Sequence, residues 1–169
     1  MTFQEILRKA ANRIESGEIG YQWDIPTSCN CGIVAQVASG LNANAIYYKL
    51  MDDHYMGWSS WARNQNSPLN CPISQLPLHS ICRILRESGF RPKDISDLEF
   101  LCDPETRLRA GLKYYKIGDY GNPRNVVKYM RAMADIRDEE SKKLKTTDLV
   151  YVPSKNVIED NYEIPRNPA

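Results

Sequence analysis

The sequence predicts an all-α protein, a compact array of about six or seven helices around the second and the last of them, with an extended C-terminal tail. Apolar residues recur at helical spacing through most of the chain. Polar capping residues or prolines precede these stretches and glycines often follow them, which is typical of helix starts and ends. The pattern changes only near the C-terminus, where Leu149-Val150-Tyr151-Val152-Pro153 is typical of an extended segment. We therefore expect one helical domain over residues 1–145 and a tail over residues 146–169.

The first helix has the clearest start signal. Thr2-Phe3-Gln4-Glu5 has the Thr-x-x-Glu form of a capping box, in which two side chains satisfy two backbone N–H groups. The helix should run to about Ser16 and stop at Gly17. Its buried face should consist of apolar residues at helical spacing, namely Phe3, Ile6, Leu7, Ala10 and Ile14.

The second and third helices follow an ordered loop over residues 21–26, which Tyr21 and Trp23 should pin to the core. Asn30, or alternatively Ser28, is a good N-cap for the second helix, which should end at Gly40. It should bury Ile33, Val34, Val37 and Ala38. Asn42 caps a third helix that ends at Gly57, and residues 58–75 form a structured loop that carries Trp58 and Trp61.

Proline marks the start of each later helix. Pro77 opens a fourth helix over residues 78–88, closed by Gly89, and Pro92 opens a fifth. Asp103-Pro104 supplies a cap and a first-turn proline for a short sixth helix, and Asn122-Pro123 does the same for the longest helix, which should fray near Lys145. The apolar face of the fifth helix should contain Ile95, Leu98, Leu101 and Cys102, and that of the longest helix Val126, Val127, Met130, Met133, Ala134 and Arg137.

Overall charge and cysteine content limit the classes of function. The chain has 22 basic and 21 acidic residues, a formal charge of +1, and this balance argues against nucleic acid or an anionic membrane as partner. No basic leader followed by a long apolar run, and no span of membrane length, is present, so we expect a cytoplasmic protein without a membrane partner. An odd number of cysteines, five, then favours reduced thiols. Cys82 and Cys102 lie in apolar patterns and should be buried and inert.

Ser28-Cys29-Asn30-Cys31-Gly32 is the most informative motif. It places two thiols where a polar turn becomes an apolar helix. With Asn30 as N-cap, Cys31 occupies the first helical position, where the helix dipole and backbone N–H groups favour a thiolate. The motif therefore predicts a reactive thiol at Cys31, in a site bordered by the loop before it.

A nucleophilic thiol needs a general base within hydrogen-bond reach, and the chain contains two histidines, His54 and His79. His54 follows two aspartates, so a carboxylate such as Asp53 can raise its basicity. Asp24 is the alternative orienting carboxylate. The candidate catalytic set is thus Cys31, His54 or His79, and Asp24 or Asp53.

A structural zinc site is the alternative use of these cysteines. His79-x-x-Cys82 places two donors on one helical face, and Cys29-x-Cys31 supplies two more sulfurs. Together they form a Cys3His set, a typical zinc ligand set. Zinc is the only cofactor that the sequence suggests.

The third hypothesis is a protein-interaction module without catalytic activity, whose cysteines are packed or hold that zinc. Tyrosine and tryptophan are favoured where one face is buried and the other meets a partner. The chain has spare aromatic residues for such a surface, namely Tyr47, Tyr48, Tyr55, Trp58, Trp61, Tyr114, Tyr115 and Tyr120. A reactive thiol, a structural zinc site and an interaction surface therefore remain the three interpretations of the sequence.

Overall fold

The fold is all-α. A computed structural model describes residues 1–25, 27–46, 48, 79–114, 116 and 118–148, without the side chains of 79, 80 and 145–148. Across these ranges the regular structure is entirely helical. The helices are α1 (Phe3–Glu15), α2 (Asn30–Ser39), α3 (His79–Glu87), α4 (Pro92–Phe100), α5 (Pro104–Arg109) and α6 (Pro123–Asp148), with a 3-10 turn at Asp119–Gly121.

The predicted start and stop signals of several helices are confirmed. Thr2 and Glu5 form the capping box: Thr2 N–H donates to Glu5 Oε2 at 2.7 Å, and Glu5 N–H donates to Thr2 Oγ1 at 3.3 Å. Asp103 caps α5 by accepting from Thr106 N–H at 2.9 Å. Gly40 ends α2 with φ of 71°, a left-handed conformation that favours glycine.

Helix α2 is the centre of the array. It packs against α1, α3 and α4, and its residues 30–37 are all buried. A helix that is apolar around its whole circumference needs neighbours on every side. Helix α6 is the second organising element, because α1 lies along it in the most extensive helix contact within the described ranges, and α5 and the 3-10 turn also pack on it. The predicted arrangement around the second and last helices is confirmed.

Three local expectations need correction. The N-cap of α2 is Cys29 rather than Asn30 or Ser28. Cys102 is exposed rather than buried, because Leu101 ends α4 with a positive φ of 50° and turns the chain outward. Helix α6 continues to Asp148, beyond the expected end near Lys145 and into the first residues of the predicted tail.

Several predictions fall on residues that lie outside the described ranges. These are the body of the third helix after residue 48, the loop with Trp58 and Trp61, and the tail after residue 148. The start of the predicted third helix, which lies between α2 and α3, is described: residues 43–46 are helical, and Ala45 N–H donates to Asn42 Oδ1 at 2.9 Å.

Candidate functional site

The first turn of α2 is a buried polar junction. Cys29 caps the helix, with its Sγ accepting a hydrogen bond from Gly32 N–H at 3.4 Å. Asn30 is therefore the first helical residue and Cys31 the second, one position further into the helix than the sequence predicted. All three side chains are buried, so the motif faces the core.

Asn30 ties this junction to α4 and to the preceding loop. Its amide Nδ2 donates to the backbone oxygens of Leu98 at 3.0 Å and Glu99 at 2.9 Å, which are at the end of α4. Its Oδ1 lies 2.7 Å from the Tyr21 hydroxyl, which is also within hydrogen-bond reach of the Tyr120 carbonyl oxygen. Because its donor and acceptor groups both have partners, this buried amide links α2, α4 and the loop before α2.

Trp23 closes the same junction from the loop side. Its ring packs against Tyr120 with centroids 4.1 Å apart, and its Nε1 donates to the Glu99 carbonyl oxygen at 3.4 Å. The prediction that Tyr21 and Trp23 pin this loop is thus confirmed.

Cys31 lies deep in this junction. The residue is 3% exposed, and its Sγ is 3.6 Å from the carbonyl oxygen of Ile95. Burial raises the pKa of the Cys31 thiol well above its ordinary value, and the neighbouring Glu99 and Cys29 raise it further. Burial thus acts on this pKa in the direction opposite to the one that the sequence predicts from the helix start.

Glu99 is the residue that sequence reasoning missed. It is 6% exposed, and its carboxyl group interacts electrostatically with the backbone N–H and the thiol of Cys31. Its Oε2 is buried without a hydrogen-bond partner within the described part of the chain. Burial raises the pKa of Glu99, and the neighbouring Cys31 opposes that rise only in part. One signal was available: Glu99 follows Ile95 by four residues, so it occupies the apolar face of α4.

The predicted bases cannot be placed beside Cys31. His54 and Asp53 lie outside the described residues, and for His79 only the backbone, in the first turn of α3, is described. Asp24 is described and is exposed on the loop before α2. The carboxyl group that contacts the thiol belongs to Glu99, and the Cys31–histidine pair stays a prediction.

The predicted zinc ligands are described only in part. Cys29, Cys31 and Cys82 are all buried. Among the described side chains, no three His, Cys, Asp or Glu residues form a group with the geometry of a metal site. Because the side chain of His79 is not among them, the complete Cys3His set stays a prediction.

A charged cleft of about 270 Å³ lies elsewhere, between α4 and α6. Its floor includes Phe3, and its charged residues pair with one another. Arg91 and Arg137 each contact the buried Asp94 at 2.8 Å, and Lys93 lies 2.5 Å from Asp97. This pairing explains how α4 accommodates buried carboxylates, and it makes the cleft a structural clamp between α4 and α6.

No protein-family model, curated protein or solved structure gives a significant match to this chain. Within the described ranges, no helix combines the length and apolar character needed to cross a bilayer. The site must therefore be interpreted from its own geometry.

Proposed function

We propose that the protein is a non-enzymatic helical interaction domain in which the Cys29-Asn30-Cys31 segment is a packed structural junction. The observation that carries this proposal is the environment of Cys31, whose sulfur is sealed in the core. A nucleophilic cysteine needs an accessible thiolate, whereas burial and a neighbouring carboxyl group both keep this thiol protonated. The junction instead holds α2, α4 and the loop before α2 together.

The surface supports an interaction role. Large apolar and aromatic side chains lie exposed on the domain, and aromatic residues are enriched where proteins meet partners. Those in the described ranges include Tyr48, Leu108, Tyr114 and Leu144. The proposal also places the domain in the cytoplasm, which is supported by the absence of disulfides among Cys29, Cys31, Cys82 and Cys102.

A reactive thiol at Cys31 is the second candidate. The electrostatic coupling between Glu99 and the Cys31 thiol favours it, because a carboxylate beside a thiol can accept the thiol proton. In this version Glu99 takes the role of general base that the sequence suggested for His54 or His79. It also requires an opening of the junction that exposes the sulfur to a substrate.

Alkylation kinetics distinguish the two candidates. The folded protein is treated with iodoacetamide at several pH values, and labelling of each cysteine is followed by peptide mass spectrometry. We expect Cys31 and Cys29 to label much more slowly than the exposed Cys102, and all of them to label rapidly after denaturation in guanidinium. The pKa of Cys102 is itself raised to about 11, chiefly by partial burial and Asp97. Even this reference cysteine should therefore label more slowly than an unperturbed thiol.

Rapid labelling of Cys31 in the folded protein at neutral pH would overturn the proposal and favour the reactive thiol. Elemental analysis of protein purified without added metal is the companion measurement. Stoichiometric zinc that is lost in a Cys82→Ser variant would assign the cysteines to a metal clamp within the interaction domain.

A further inference from the structure

Charge is distributed very unevenly along this near-neutral chain. Residues 106–134 contain seven Lys or Arg residues and a single acidic residue, Asp119, although the formal charge of the whole chain is only +1. Overall charge therefore conceals a strongly basic region. A local excess of this kind attracts polyanions even when the complete protein is nearly neutral.

Three of the seven cations are engaged in ion pairs. Arg107 pairs with Asp119 at 2.8 Å, Arg109 with Glu139 at 2.5 Å, and Arg131 with Glu15 at 2.6 Å. The other four side chains are exposed, and no carboxylate in the described ranges forms an ion pair with them. We call these four residues the basic patch: Lys113, Lys116, Arg124 and Lys128.

The Arg107–Asp119 ion pair brings the parts of the basic patch together. Asp119 Oδ2 accepts from Lys116 N–H at 3.2 Å, and Asp119 Oδ1 accepts from Asn125 Nδ2 at 3.2 Å. Asp119 therefore links the backbone of Lys116 to Asn125 in the first turn of α6, the residue that follows Arg124. Lys128 is four residues after Arg124 on the same helix, and residues at that spacing share a helix face.

The same ion pair also fixes an exposed aromatic residue. Arg107 donates from Nη2 to the carbonyl oxygen of Tyr114 and from Nη1 to that of Leu101 at 2.9 Å. The Tyr114 backbone is thus anchored next to Lys113 and close to Lys116, while its side chain is 78% exposed. An anchored but exposed ring is suited to stacking against a flat, apolar surface of a partner.

We propose that the basic patch and Tyr114 form a binding surface for single-stranded nucleic acid, an inference that rests on the proposed interaction function and specifies its partner. Spaced cations contact successive phosphates, and an exposed aromatic ring stacks on an unpaired base. An acidic protein segment would satisfy the cations but would leave Tyr114 without its stacking role. Duplex nucleic acid would engage the cations while keeping its bases inside the helix.

Fluorescence anisotropy with labelled oligouridylate and oligothymidylate tests the proposal. We expect binding at about 50 mM salt that weakens steeply by about 200 mM, as phosphate contacts require. Removing two cations in a Lys113→Ala/Lys116→Ala variant should reduce the slope of log affinity against log salt by about 0.7 per lysine. The matched control is Lys142→Ala/Lys143→Ala at the other end of α6, which should leave the slope unchanged.

Tyr114 is tested separately. Tyr114→Ala should weaken binding roughly tenfold with little change in the salt slope, whereas Tyr114→Phe should bind like the original protein, because stacking needs the ring and not the hydroxyl. Circular dichroism of each variant verifies that the fold is intact.

The outcomes separate this inference from the proposed function. Absence of oligonucleotide binding at low salt, or stronger binding to a labelled polyglutamate peptide or to duplex of the same length, would overturn the nucleic-acid surface. The alkylation result for Cys31 is independent of these measurements. A sealed Cys31 without oligonucleotide binding would leave the interaction domain standing and remove only this partner.

Discussion

Cys31 and Glu99 show how burial can reverse the usual chemistry of a helix start. Backbone N–H groups at that position normally stabilise an anion. Here the Cys31 thiol and the Glu99 carboxyl group are both buried, and desolvation raises the pKa of each. The helix start is capped by Cys29, whose Sγ accepts from Gly32 N–H, and Cys31 stays a buried thiol.

At the residue scale, Glu99→Gln should change how stability depends on pH. The pKa of Glu99 is raised in the folded state, mainly by burial, so folding favours the protonated form. The stability of the original protein is therefore highest below the unfolded pKa of Glu99 and falls as the pH rises through the folded value. We expect the variant to gain stability relative to the original protein as the pH rises from about 4, the ordinary pKa of Glu, by an amount on the order of 1 kcal/mol.

Urea unfolding over that pH range measures the effect. Glu105→Gln, an exposed carboxylate on α5, is the matched control and should give a difference that is small and independent of pH. A constant difference between the Glu99→Gln variant and the original protein would contradict the assignment of Glu99 as a destabilised buried acid.

At the element scale, buried ions are tolerated where another element supplies the counter-charge. Helix α4 buries Asp94, Asp97 and Glu99 on the side that packs inward. Asp94 is compensated by Arg137 of α6, whereas Glu99 meets uncharged groups in the first turn of α2 and has a raised pKa. The Asp94–Arg137 pair defines where α4 and α6 meet, because moving either helix would leave the carboxylate without this partner.

The Arg107–Asp119 pair is the clearest test of such a pairing. Arg107 is buried and also donates to the carbonyl oxygens of Leu101 and Tyr114, so Arg107→Ala removes a donor from three acceptors. We expect a loss of about 3 kcal/mol in the free energy of unfolding, the typical result of breaking a buried pair from one side.

Arg109→Ala is the control for this variant. Arg109 lies two residues further on the chain, and its pair with Glu139 is exposed, so its removal should cost less than about 1 kcal/mol. Equal losses in the two variants, measured by urea unfolding, would show that Arg107 does not organise residues 101–119.

At the scale of the whole molecule, α1 against α6 is the principal packing interface. Leu7 is 0% exposed in the core that these helices share, and the exposed pairs of Arg8 with Asp135 and Asp138 lie along the same contact. Exposed ion pairs contribute little, so the interface depends on its apolar side chains.

Leu7→Ala should therefore lower the free energy of unfolding by about 2–5 kcal/mol, through lost apolar burial and the cavity left behind. Leu144→Ala removes the same atoms from a side chain that is 68% exposed on α6, and it should change stability by less than about 0.5 kcal/mol. Thermal or urea unfolding of the two variants compares them. Similar effects would mean that the α1–α6 contact is not the main source of stability.

The sequence by itself determined the fold class and several helix boundaries. Capping residues, first-turn prolines and terminal glycines act within one turn of chain, so their effects can be predicted without knowing the neighbours. The capping box at Thr2 and the cap at Asp103 are confirmed for this reason. Periodicity also predicted the buried faces of α1 and α6, because apolar spacing is a property of each helix alone.

Only the tertiary structure decided the chemistry of the junction. The predicted activation of Cys31 depended on exposure, and exposure is set by α3, α4 and the loop that surround α2 rather than by the motif. Glu99 lies 68 residues beyond Cys31, so no local pattern links them. Electrostatic effects depend on distance and desolvation in space, and these are known only once the helices are packed.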